Sequence, residues 1–222
     1  MCIVSFVKTS EEFILTFNRD ERRGRSSEKP AWRNLESNPI FCPIDKVAGG
    51  TWIGYNRKII ACLQNGALEK HSRDLPYEIS RGQILKDLLI NNDIDSLLRY
   101  VKGHKIEPFT LSIYNLALKN LSIYRHDGIQ ITIETSDLLK PMLICSSTLY
   151  NNEAQNAINS EFRLVNFESI FNFHDQMRIG SNKNKFTDLV DTVSITQFRY
   201  RNGTLNARYY DVFNTSDLTF EA

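Results

Sequence analysis

Met1-Cys2-Ile3-Val4-Ser5-Phe6-Val7 opens the chain, and Phe13-Ile14-Leu15-Thr16-Phe17-Asn18-Arg19-Asp20-Glu21 follows a polar break at 8–12. Both runs are β-branched and aromatic, have the length of a strand, and flank a break suited to a hairpin loop. Folded antiparallel across a loop of about 2–5 residues, positions whose numbers sum to about 19 or 20 come opposite one another. Cys2 is then predicted beside Phe17 or Asn18, with Arg19 and Asp20 at the same end of the hairpin. A thiol at position two is thereby placed in a sheet, next to an amide, a guanidinium and two carboxylates.

The rest of the composition offers little that competes with this cluster. A chain of 222 residues is long enough for one good-sized core, and a single domain spanning 1–222 is expected. Hydrophobic content of 41% and charged content of 24% are those of an ordinary soluble globular protein. A net charge of +1 gives neither a nucleic-acid footprint nor an acidic tail. No apolar run approaches the roughly 20 residues of a spanning helix, so no transmembrane segment is expected. The first residues lack the basic, apolar and small-residue regions of a secretory signal. Cys2, Cys42, Cys62 and Cys145 form no CxxC pair, which excludes a zinc ribbon or thioredoxin motif. Cys62 and Cys145 lie in apolar runs and read as small core hydrophobes. A reducing, cytoplasmic location is the default. His71, His104, His126 and His174 have no HExxH-type spacing, and no metal site is expected. His126 and His174 read as surface or satisfied core residues.

Beyond Glu21, the basic stretch 22–30 ending at Pro30 reads as a loop. Gly49-Gly50-Thr51-Trp52-Ile53-Gly54 leads into strands at about 51–55 and 58–64, turned at Asn56-Arg57 and closed by Asn65-Gly66. Ser80 caps a helix bearing Ile84, Leu85, Leu88 and Leu89, and Asn92 or Asp93 caps another bearing Ile94, Leu97, Leu98 and Val101. Strands are predicted at 109–116, 121–126, 129–135 and 141–146. Asp127-Gly128 reads as a two-residue hairpin turn, with Ile129, Ile131 and Ile133 on one buried face. Asn151 or Asn152 starts a helix carrying Ala154, Ala157, Ile158, Phe162 and Val165, and a more aromatic helix spans 169–177. Residues 180–185 read as loop, and strands at 193–200 and 205–213 join at Asn202-Gly203. Many antiparallel strands with two helix pairs give an α+β fold of layers, sheet on sheet with helices outside each.

The opening can run acyl transfer without histidine. Removal of Met1 would leave Cys2 with a thiol and a free α-amine of pKa about 7.7–8.0, a base for its own side chain. Arg19 favours thiolate over thiol. Asp20 would hold the ammonium or orient Arg19. Asn65 or Asn18, with a backbone N–H, would donate to the oxyanion. Taken singly, Cys2 also reads as a buried strand thiol, 18–21 as a solvated turn, and Asn65 as a left-handed turn asparagine. The hairpin is what joins them.

Met1-Cys2-Ile3-Val4, Asn18-Arg19-Asp20-Glu21, the Gly49–Gly54 stretch and Asn65 together resemble the Asn-Arg-Asp-Glu (NRDE) family, whose best-known member is the transport and Golgi organisation protein 2. Ser80-Arg81-Gly82, Ser146-Ser147-Thr148-Leu149-Tyr150 and Thr192-Val193-Ser194-Ile195-Thr196 extend the match along nearly the whole chain. The resemblance implies a fold like that of N-terminal-nucleophile hydrolases, a four-layer αββα sandwich of two antiparallel sheets with helix pairs outside. A more distant likeness is to bile-salt hydrolases and penicillin V acylases. It implies Cys2 as nucleophile, Arg19 and Asp20 as its flanking pair, and Asn65 as the oxyanion amide. Arg19 and Asp20 are adjacent here, whereas those hydrolases separate the pair by two residues. Where those hydrolases carry a further asparagine, this chain has Ser146 or Ser147.

Two functions are expected, the first from Cys2 beside Arg19 and Asp20, the second from the resemblance together with Trp52, Phe17 and the arginines near the same cleft. One is hydrolysis of a small amide or thioester by Cys2, with no cofactor, and with Asn18 and Trp52 lining the substrate. The other is non-catalytic binding or trafficking of an amphipathic ligand such as haem or an acyl-CoA. A hydrolase fold turned to protein contacts is a third, blander outcome.

Overall fold

The structure is a computed structural model that describes residues 2–35, 38–71, 76–180 and 190–222. The chain divides into two compact units, residues 1–25 with 138–222, and residues 26–137. Each has its own antiparallel sheet and its own helices.

The first unit contains β1 (Cys2–Lys8), β2 (Glu12–Glu21), β10 (Met142–Cys145), α3 (Asn152–Phe162), α4 (Ile170–Gln176), β11 (Asp191–Arg201), β12 (Thr204–Asp211) and β13 (Ser216–Glu221). Its six strands run in the order β10-β1-β2-β11-β12-β13. The chain start is therefore not an edge: β1 is paired on both sides. Alternation sorts its side chains between two faces. Ile3, Val7 and Ile14 pack with Ile158, Phe162, Ile170 and Phe173 of the helices. On the opposite face Val4, Phe6, Leu15 and Phe17 are fully buried as well. Asn202-Gly203, both at positive φ, close β11 onto β12 as a two-residue loop whose twist matches the strands.

The second unit contains β3 (Ser27–Leu35), β4 (Asn38–Asp45), β5 (Ile53–Tyr55), β6 (Ile59–Asn65), α1 (Arg81–Asn91), α2 (Ile94–Lys102), β7 (Phe109–Asn115), β8 (Asn120–His126) and β9 (Ile131–Ser136), its strands in sequence order. Ile40, Ala61, Leu63 and Leu111 form a core with Ile84, Leu85, Leu88 and Leu89 of α1 and Leu97 and Val101 of α2. Asp93 caps α2, its carboxylate accepting from the Ser96 N–H at 3.0 Å. Asn151 caps α3 in the same way through Ala154.

Several expectations are corrected. The stretch 22–30 is not all loop, because β3 starts at Ser27; Pro30, which cannot donate to a ladder, lies in a register irregularity between Glu28 and Ala31. Asp127-Gly128 does not make a two-residue turn. His126 pairs with Ile131, and the Asp127 carboxylate accepts from the N–H groups of Ile129 and Gln130, both at 2.8 Å, so the side chain builds a four-residue loop. Ile129 is thus in the turn and 91% exposed, and Ile133 is exposed on the edge strand β9. Ala157 faces solvent. β4 and β13 were not anticipated. The loop expected at 180–185 lies outside the described residues beyond Gly180.

Candidate active site

Cys2 is paired with Arg19, Ile3 with Asn18 and Val4 with Phe17. The thiol is therefore opposite Arg19, not Phe17 or Asn18 as the loop-length argument predicted. The turn explains the difference. Lys8 joins the ladder opposite Phe13, so the loop is 9–12, centred later in the chain than the break 8–12, and the Thr9 hydroxyl holds it by accepting from the N–H groups of Glu11 and Glu12 at 3.2 and 3.1 Å. Directly opposed residues share a face with Cβ atoms about 4.5–5.5 Å apart, so Cys2 and Arg19 project together.

The row continues across β11, where Ser194 pairs with Arg19 and Thr192 with Asp20. The register shifts between Thr192 and Ser194, a bulge that re-aims neighbouring side chains. The Thr192 hydroxyl donates to Asp20 Oδ1 at 2.6 Å and accepts from the Ile179 N–H at 2.9 Å. On the other side, the Ser146 N–H donates to the Cys2 carbonyl at 2.9 Å. Arg19 is 4% exposed, and its Nη1 donates to the Arg25 carbonyl at 3.1 Å. Arg23 forms an ion pair with Asp191 at the same end of the sheet.

Burial dominates the electrostatics. It pushes the Cys2 thiol above its ordinary value; the Asp20 charge adds to this, while a hydrogen bond from the Asp20 backbone opposes it. Burial also raises the Asp20 carboxyl to about 7, against the pull of the Thr192 hydroxyl. Asp20 is thus poised to gain or lose a proton near neutrality, the range that suits an acid or base. Tyr150 is buried near the same groups, its phenol held well above the usual range by burial and by the charges of Asp20, Cys145 and Cys2. Cys145 is pushed up to about 12, as expected of a core thiol.

Asn18 is fully buried, and its amide is committed to α4. Its Nδ2 donates to the His174 carbonyl and its Oδ1 meets His174 Nδ1, both at 2.8 Å. Ser5 Oγ lies 2.8 Å from His174 Nε2. His174 has no exposure, and burial lowers its pKa to about 3.

Asn65 and Trp52 belong to the second unit. Asn65 ends β6 opposite Phe109, and the positive φ falls on Gly66, at +86°. Asn65 is therefore not the turn's left-handed residue. The Trp52 carbonyl accepts from the Leu63 N–H at 2.9 Å, and its indole is 7% exposed. The glycines before it have a packing reason. A Cβ on Gly50 would come 2.5 Å from the Gly82 backbone, so Gly49-Gly50-Thr51-Trp52 and Ser80-Arg81-Gly82 are two halves of one close approach.

A cleft of about 460 Å³ opens just beyond Asn65, lined by Leu68, Lys70, His71, Pro108, Arg125 and Ile129. A second, of about 400 Å³, shares His71, Pro108 and Ile129 and adds Tyr77 and Lys105. Among the described residues, no cluster of His, Cys, Asp and Glu is arranged to hold a metal ion. No helix among them is long and apolar enough to cross a membrane.

A family model described as Transport and Golgi organisation 2 matches residues 1–213. The chain belongs to the Transport and Golgi organisation 2 family. Its fold is similar to that of a solved structure, the C2A mutant of conjugated bile acid hydrolase from Clostridium perfringens, with a TM-score of 0.54 at 8% identity, covering 100% of this chain and 97% of that one. No curated protein sequence matches the chain. The α+β fold like that of N-terminal-nucleophile hydrolases, implied by the opening hairpin and the family motifs, is the fold found. For a member of the Transport and Golgi organisation 2 family, the structure gathers Cys2, Arg19, Asp20 and Asn18 in one sheet and places Asn65 and Trp52 in the other unit.

Sequence reasoning missed Thr192, Ser194 and His174 as parts of the site. Thr192 and Ser194 stood in a quoted family motif, but which residue met which charge depended on the bulge. His174 lies 156 residues from Asn18, and no local pattern links them.

Proposed function

We propose that the chain is a cysteine hydrolase of the N-terminal-nucleophile type, acting on a small amide or thioester after Met1 is removed. The observation that carries this reading is the pairing of Cys2 with Arg19 beside an Asp20 carboxyl poised near pH 7. The fold likeness to a bile acid hydrolase altered at its own second residue supports it.

Removal of Met1 would turn the Cys2 nitrogen into an α-amine. That amine takes the thiol proton, and Sγ attacks the substrate carbonyl. The oxyanion is met by an amide donor, the role assigned to Asn65. Collapse breaks the C–N or C–S bond, and the ammonium returns the proton to the leaving group. Water then attacks the thioester, the amine again taking the proton, and free carboxylate and Cys2 are restored. Asp20, in its ionised form, holds the ammonium, and Arg19 steadies negative charge at the sulfur.

The test is hydrolysis of a panel of small amides and acyl thioesters by protein whose Met1 removal is verified by mass. Cys2→Ser lowers the rate at least 100-fold on this reading; equal rates for the two proteins overturn it.

A second reading, binding or trafficking of an amphipathic anion such as haem or an acyl-CoA, is favoured by the clefts beyond Asn65. Exposed apolar Leu68 and Ile129 lie there beside Lys70, Lys105 and Arg125. On this reading haem or a long-chain acyl-CoA binds saturably at micromolar protein, and Cys2→Ala binds as well as the parent. Absence of saturable binding by either ligand overturns it.

A further inference from the structure

The buried Asn18–His174–Ser5 chain has one consistent proton assignment. The His174 carbonyl only accepts, so the atom 2.8 Å from it must be the Asn18 amide nitrogen. Asn18 Oδ1 then faces His174 Nδ1 at 2.8 Å; an amide oxygen only accepts, so Nδ1 carries the proton. In the neutral ring that burial enforces, Nε2 is left as the bare nitrogen, and the Ser5 hydroxyl 2.8 Å away donates to it. A hydroxyl, an imidazole and an orienting amide stand in the order of a nucleophile, a base and its orienter. Yet Ser5, Asn18 and His174 are all 0% exposed, so no substrate reaches the hydroxyl and the chain is not a second catalytic centre.

Its placement gives it another role. Ser5 is on β1, three residues from Cys2, and Asn18 is on β2, opposite Ile3 and next to Arg19. His174 ties both strands to α4. On the hydrolase reading Cys2 becomes the first residue, where chain ends fray, and its strand must be held within about 0.5 Å of a productive geometry. We propose that Asn18, His174 and Ser5 are positioning residues for the Cys2–Arg19 end of the hairpin, Asn18 fixing the imidazole tautomer and the imidazole fixing β1. The asparagine of the Asn-Arg-Asp-Glu signature then serves the nucleophile by locking its strand, without touching substrate. The effect on Cys2 chemistry rests on the hydrolase reading above; the mechanical effect does not.

The experiment has three readouts on the full chain, for the parent, Ser5→Ala and Asn18→Ala. Imidazole nitrogen NMR should show His174 with its proton on Nδ1 in the parent and in Ser5→Ala, and lose that preference in Asn18→Ala. Amide hydrogen exchange should accelerate at least 10-fold at Ile3, Val4, Arg19 and Asp20 in either variant, and less than 2-fold along β12. In Met1-processed protein, labelling of Cys2 by a thiol-directed acylating probe should slow at least 10-fold. An Nε2–H tautomer in the parent, or unchanged exchange at the hairpin end in folded Ser5→Ala, overturns the proposal. Altered exchange in the variants together with an unreactive parent Cys2 upholds the positioning role and overturns the hydrolase reading. If Asn18→Ala does not fold, Ser5→Ala, which loses one hydrogen bond, decides the matter alone.

Discussion

Asn18 and His174 are joined twice, amide nitrogen to carbonyl and amide oxygen to ring nitrogen, each at 2.8 Å and both residues without exposure. Replacing Asn18 by Ala strands a buried N–H and a buried carbonyl. Each unsatisfied group costs about 1–3 kcal/mol, so Asn18→Ala should lose roughly 2–6 kcal/mol in urea unfolding. A loss under about 0.5 kcal/mol, the usual size of a surface change, would show that the pair of hydrogen bonds to His174 is not maintained.

Stability against pH should report two buried groups of opposite sign. His174 falls from 6.5 to about 3 on folding, so its contribution is full above pH 6.5 and is lost as pH drops toward 3. Asp20 rises from 3.8 to about 7, so its contribution is full below pH 3.8 and is lost as pH climbs to 7. Each slope is about 1.4 kcal/mol per pH unit, and the two cancel between pH 3.8 and 6.5. Asp20→Asn removes one of them. Relative to the parent, its stability should rise with pH across that window and end a few kcal/mol higher at pH 8. Parallel pH–stability curves for the two proteins would refute the assignment to Asp20.

The glycine pair before Trp52 should divide sharply. Gly50→Ala pushes a methyl to 2.5 Å from the Gly82 backbone, which cannot yield without moving α1. Gly49→Ala meets no atom within 4 Å but must hold φ at +68°. Thermal unfolding should show a loss of about 1 kcal/mol for Gly49→Ala, and of about 3 kcal/mol or more for Gly50→Ala. Equal effects would mean that the close approach is not kept in solution.

Asn65→Ala separates a catalytic amide from a turn residue. Gly66 carries the positive φ, so the variant should keep the turn's backbone and the parent's circular dichroism spectrum. Loss of an oxyanion donor typically costs about 10²–10³ in rate, and the hydrolysis found for the parent should fall by that order. A fall under 2-fold would remove Asn65 from the chemistry.

The hairpin, both helix pairs and the family motifs were legible because alternation, helical periodicity and turn residues are local signals. α1 shows this well: Ile84, Leu85, Leu88 and Leu89 are all buried, as their spacing required. What failed depended on groups the pattern does not display. The Cys2 register turned on a threonine hydroxyl capping the loop, and the Asp127 turn on a carboxylate doing the same. The thiol's raised pKa turned on burial, which the pattern does not display. His174 is the satisfied core residue that was one of its two readings, but its partner Asn18 is 156 residues away and no local pattern links them.

The central claim is that Cys2, freed of Met1, is a nucleophile. Intact mass of the protein from its own cells, before and after a thiol-directed acylating probe, tests it in one measurement. A nucleophilic Cys2 gives a mass lacking Met1 and a single acyl adduct on Cys2, absent from Cys2→Ala. A retained Met1, or a processed chain whose Cys2 is acylated no faster than Cys42, Cys62 and Cys145, would contradict it.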